Sequence, residues 1–173
     1  MLDLYSRRQN HLLAALPQSE YQRLSAHLDL VYLYQGRVLA EYGVALKYVY
    51  FPTTSIICLM HAMKDGTYAK TASIGNEGML GVSLLVGDEK TPNRTVVQSS
   101  GYACRLSKRV LKEEFNRSSA LREIVLHYTK DLITHMAKTA ACNRNPVDQQ
   151  LCRYLDYLRG NLSGLWAHDS ITN

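Results

Sequence analysis

Cysteine is scarce and scattered. Four occur in 173 residues, at Cys58, Cys104, Cys142 and Cys152, and no two form a C-x-x-C pair. That argues against a disulfide framework or a thiolate metal knuckle, and the apolar neighbours of each mark them as buried thiols of a reducing compartment. No apolar run approaches the roughly 20 residues that cross a bilayer. Met1 to Asn10 carries Arg7 and Arg8 with no hydrophobic stretch behind them, so neither a membrane contact nor a signal peptide is expected and a cytoplasmic protein follows. The six histidines, His11, His27, His61, His127, His135 and His168, stand apart with no H-x-H. No G-x-S-x-G turn, Walker loop or carboxylate pair is present, so the chain is read as a non-enzyme without a metal site or a certain cofactor.

What is present is an ordinary globular composition, 46% hydrophobic and 20% charged, in which twelve tyrosines are the only unusual count. The formal charge of +5 favours a polyanionic partner in a general way only. From Asn10 to Leu28 the apolar positions Leu12, Leu13, Leu16, Tyr21, Leu24 and Leu28 recur at helical spacing. Pro17 splits them into two short helices, the second capped by Ser19. Then come short β-rich runs separated by turn residues: Leu30–Tyr34, Arg37–Ala40, Tyr48–Phe51, Ser55–Ala62, Tyr68–Ile74, Arg94–Ser99 and Gly101–Leu106. Even spacing of this kind predicts a sandwich or barrel. Ser107 to Arg117 reads as a helix capped by Ser107. From Ser118 or Ser119 to Asn145 runs the longest helical pattern, stopped by Pro146. At about 1.5 Å per residue that helix is roughly 40 Å long, and its positions Leu121, Val125, Tyr128, Leu132, His135, Met136 and Thr139 form a seam expected to meet a second copy of the chain. A further amphipathic segment spans Val147 to Leu158.

Between the fifth and sixth β-rich runs lies a glycine-rich stretch with Gly75, Gly78, Gly81 and Gly87, an apolar helix-like run from Met79 to Val86, and Arg94 at the start of the next strand. Glycines let backbone N–H groups approach a ligand, and a helix opening at such a turn holds an anion at its N-terminus. The run Gly75-Asn76-Glu77-Gly78-Met79-Leu80-Gly81 resembles the phosphate-binding cassette of Crp/Fnr-type bacterial transcription regulators. Leu13-Ala14-Ala15-Leu16-Pro17, Val49-Tyr50-Phe51-Pro52 and Thr139-Ala140-Ala141-Cys142-Asn143-Arg144 resemble the same family, as does the order of the elements.

The resemblance implies an α+β fold: an antiparallel double-stranded β-helix (β-roll or jelly roll) with flanking short helices and a long C-terminal dimerisation helix. It divides the chain into a cyclic-nucleotide-binding-like sensor, residues 1–117, a dimerisation helix, 118–145, and the truncated start of a winged helix-turn-helix, 146–173. DNA would be contacted only through a helix-turn-helix absent from this chain, whose approach is the run Asp169-Ser170-Ile171-Thr172. The family's ligand site maps onto Gly81, Val82, Ser83, Arg94 and Thr95, where Arg94 and Thr95 match the pair that grips a cyclic phosphate. Val82 stands where the family's ribose-binding glutamate is, and the loop to Arg94 is slightly longer. Neither Glu77 nor Glu89 is placed to substitute. An unpaired ribose hydroxyl costs about 1 to 3 kcal/mol, so cyclic nucleotide binding is expected to be weak or lost. The first cysteine is Cys58, which argues against the iron–sulfur cluster of Fnr-type sensors, and a haem on His61 is disfavoured. Two other readings stay open: a stand-alone module that heterodimerises with full-length relatives, and a cupin-like enzyme, which the isolated histidines disfavour.

Overall fold

The structure, a computed structural model, describes residues 7–85, 90–91 and 93–142. After a single 3-10 turn at Arg7–Gln9 come α1 (His11–Ala14) and α2 (Gln18–Ser25), then β1 (Asp29–Leu33), β2 (Val38–Ala40), β3 (Tyr48–Pro52), β4 (Ile56–Ala62) and β5 (Tyr68–Ile74). A second 3-10 turn, Val82–Leu85, precedes β6 (Arg94–Ser99), β7 (Gly101–Ser107), α3 (Lys108–Arg117) and α4 (Ser119–Cys142). All pairings are antiparallel and make two sheets, ordered β1-β7-β3 and β2-β6-β4-β5. Each expected strand is present within a residue or so of its expected ends, because alternating β-branched and aromatic residues between turn residues leave few other solutions.

The helices start where local chemistry directs. Asn10 caps α1, its Oδ1 accepting from the N–H groups of Leu12 and Leu13. Ser19 does not cap α2: the helix opens directly after Pro17, whose fixed φ of −53° suits that position, and Ser19 lies inside the first turn. Ser107 caps α3 as expected, accepting from Val110 N–H, and Ser118 Oγ accepts from Leu121 N–H at the start of α4. The expected stop at Asn145 and Pro146, the segment 147–158 and the helix-turn-helix approach lie outside the described residues.

One hydrophobic cluster joins both sheets to the helices, with Phe51, Ile57, Val97 and Leu106 between strands and Leu13, Leu24 and Leu111 on the helices. Met79 and Leu84, from the segment between β5 and β6, are buried in the same core. Among the described residues no helix is long and apolar enough to cross a membrane.

Candidate functional site

The glycine-rich segment is fastened at three points. At its start, His11 N–H donates to the Asn76 carbonyl at 2.8 Å. The fully buried Asn10 uses Nδ2 to donate to the carbonyls of Gly78 at 2.8 Å and Pro52 at 2.9 Å. At its centre, Leu80 exchanges two backbone hydrogen bonds with Tyr50 on β3, of 2.8 and 3.1 Å. Gly81 then turns with φ of +116°, and a Cβ there would stand 2.5 Å from the Val49 side chain. Both demands exclude any other residue. At its far end Thr91 is buried, its hydroxyl donating to the carbonyls of Glu41 and Val44.

The same segment abuts α4. Tyr128 donates its hydroxyl to the Met79 carbonyl at 3.2 Å, and its ring lies so close that a Cβ on Gly78 would meet it at 2.5 to 2.7 Å. Burial pushes the Tyr128 phenol well above its ordinary range, so it stays a donor.

The expected helix-like run Met79–Val86 is shorter than its apolar pattern implies. Leu80 is paired to β3, and among the described residues the run forms the 3-10 turn Val82–Leu85; a helix too short to build a macrodipole offers no anion site at its N-terminus. Val82 and Ser83 sit half-buried on that turn. Gly87 and Glu89 lie outside the described residues.

Arg94 and Thr95 do not converge. They are consecutive on β6, where side chains alternate between faces. Thr95 pairs across to Leu59 and is buried in the core, whereas Arg94 pairs across to Met60 on the opposite face. There the Arg94 Nε donates to Glu41 Oε1 at 3.2 Å, and its guanidinium carbon lies 5.0 Å from the centroid of the Tyr68 ring. Val82 offers no acceptor for a ribose hydroxyl, and Arg94 is engaged by Glu41.

On α4 the expected dimer seam needs correction. Leu121, Val125 and Tyr128 are buried in this chain's own core, against α3 and the glycine-rich segment. Leu132 and Met136 pack partly against that core, and His135 and Thr139 are half-buried. Among the described residues of α4, the large apolar side chains left facing outward are Leu126, 57% exposed, and Ile133, 62% exposed. A shallow apolar cavity of about 330 Å³ beside Leu126 is lined by Ser119, Arg122, Glu123, His127 and Lys130.

Between α4 and β5 lies a polar cluster. Lys70 Nζ and Ser73 Oγ both donate to Gln98 Oε1, at 3.0 and 3.1 Å. Burial lowers the Lys70 pKa and raises that of neighbouring Cys58. His135 is held below its ordinary 6.5, first by burial and also by Lys138 and Lys70, against an opposing pull from Glu77. A lowered histidine pKa means that the unfolded chain binds the proton more readily, so stability falls as pH drops below about 6.5. Urea denaturation at pH 7.5 and 5.5 is expected to show that loss, and His135→Gln to shrink it. An equal loss in both proteins would assign it elsewhere.

Sequence reasoning missed Asn10, Glu41, Tyr68 and Thr91. Asn10 carried a signal, an asparagine directly before an apolar helical run. Glu41 carried none, being 53 positions from Arg94.

The sequence matches no protein-family model and no curated protein. Solved structures do match. The c-di-GMP responsive global regulator CLP of Xanthomonas campestris superposes with a TM-score of 0.66 at 12% identity, over 81% of this chain and 71% of that one. The N-terminal domain of a transcriptional regulator from Streptomyces coelicolor gives 0.55 at 22% identity, over 76% and 93%. The regulatory subunit of a cAMP-independent protein kinase A from Trypanosoma brucei gives 0.61 at 13% identity, over 70% of this chain and only 43% of that one. These likenesses, with the sheet order above, show that the chain has the fold of the cyclic nucleotide-binding β-roll, followed by a long helix. Its structural neighbours include regulators of the Crp/Fnr type.

Proposed function

We propose that the chain is the sensor and dimerisation part of a bacterial Crp/Fnr-type transcription regulator. It is non-catalytic and cytoplasmic, and it would reach DNA only through a separate helix-turn-helix domain. The contact of Tyr128 with Gly78 and Met79 carries this reading: a change in the glycine-rich segment is felt directly by the helix that would link two copies. Occupancy shifts such an equilibrium only through differential affinity for the two arrangements. Support for the regulatory role comes from neighbours described as a global regulator and as a transcriptional regulator domain.

Homodimerisation would use the outward side of α4. Leu126 and Ile133 are seven residues apart, the spacing that keeps two positions on one stripe of a paired helix. Sedimentation velocity is expected to give a dimer for the parent chain and a monomer for Ile133→Glu, with the helical content unchanged. A monomeric parent would remove the dimerisation reading.

A further inference from the structure

The residues that would receive a ligand's anion are already occupied from within. The loop between β2 and β3 crosses the far end of the glycine-rich segment and is tied to it. Gly43 N–H donates to the Thr91 carbonyl at 2.9 Å, Thr91 N–H to the Val44 carbonyl at 3.0 Å, and Ala45 bridges Lys90. The Thr91 hydroxyl donates to the Glu41 carbonyl at 2.7 Å. These bonds fix the backbone of Glu41 and so deliver its carboxylate to Arg94 Nε. Tyr68 supports the guanidinium from its face. A cation with an aromatic floor and one carboxylate at its edge has the chemistry of an oxyanion receptor, here closed by the chain's own carboxylate.

We propose that Glu41 is a resident pseudo-ligand, a latch that a phosphate-bearing ligand displaces from Arg94. The proposal rests on the sensor reading and adds how its site is regulated. The geometry favours exchange. The salt-bridged side chains remain 30% and 50% exposed, and the Glu41 carboxylate engages Nε. A phosphate that takes the guanidinium through two parallel hydrogen bonds is the stronger partner. The strap that carries Glu41 is held by backbone bonds to Thr91, so losing the side-chain contact does not unfold it.

Calorimetry with inorganic pyrophosphate as a bare oxyanion, and with cyclic AMP as a nucleotide, tests this. Glu41→Gln is expected to bind pyrophosphate about tenfold tighter than the parent, since it removes both the competitor and a like charge beside the ligand. Adding Arg94→Gln should abolish the gain, with melting temperatures showing that each variant is folded. A parallel gain for cyclic AMP would identify the ligand as a nucleotide, and a gain for pyrophosphate alone as a simpler oxyanion; both support the latch. Equal affinity in Glu41→Gln and the parent overturns it, as does a gain that survives Arg94→Gln. The sedimentation test of Ile133→Glu is independent, so failure of the latch and failure of the dimeric sensor are told apart.

Discussion

Replacing Asn10 with aspartate is expected to cost about 3 to 5 kcal/mol of folding stability at neutral pH, the range found when a buried charge is left without a partner. Asn10 is fully buried and uses all four of its hydrogen-bonding positions: Oδ1 accepts from Leu12 and Leu13, and Nδ2 donates to Pro52 and Gly78. Aspartate keeps the cap of α1 but turns a second oxygen onto two carbonyls at 2.8 and 2.9 Å. The cheapest escape is to bind a proton, which raises the folded-state pKa of the new carboxyl. A raised carboxyl pKa makes stability fall as pH climbs through the ordinary carboxylate range, so the defect should be smaller at pH 4 than at pH 7. Asn10→Ala loses the same donors without the charge and should show no such dependence. Denaturant titrations at the two pH values check both variants. An aspartate variant that matches the parent at neutral pH would show that Asn10 does not hold the start of the glycine-rich segment.

Gly78→Ala is expected to destabilise by about 2 to 3 kcal/mol, as overpacking of a filled core does. The added methyl meets the hydroxyl, Cε2 and Cζ of Tyr128 at 2.5 to 2.7 Å. A buried ring fixed by its bond to Met79 has little room to retreat. Tyr128→Leu in the same chain opens that room, so the double variant should be more stable than the sum of the two losses predicts. A coupling of at least about 1 kcal/mol is expected for residues in contact. Additive losses would mean that the segment and α4 do not press on one another, and the route from site to helix proposed above would lose its physical basis. The same cycle read by sedimentation asks whether the strain reaches the dimer.

The fold was legible because its signals are local. The boundaries of β5 and β6 follow from Tyr68–Ile74 and Arg94–Ser99, each an extended run closed by turn residues. Pro17 and Ser107 mark helix starts by their own chemistry. The site was legible only in outline. The spacing of Leu121, Val125 and Tyr128 reveals an apolar face but is silent on what covers it, and here the covering surface is the protein's own core. Adjacent letters Arg94 and Thr95 look like a pair in a motif, yet strand alternation sends them to opposite faces. Glu41 reaches Arg94 only after β2 has paired with β6, more than fifty positions along the chain, and the loop after β2 has been tied to Thr91. No local pattern encodes such a meeting.

The burial of Met79 and Leu84 bears on how a receptor of this shape changes over generations. Their side chains are structural filler, so altering them to suit a new effector would sacrifice solubility and folding yield before it gained any selectivity. Val82 and Ser83, half-buried on the intervening turn, carry less of that burden, Val82 packing against the core only in part. Among the described residues of the segment, evolutionary latitude is thus greatest on that turn, and that is where a directed library should begin.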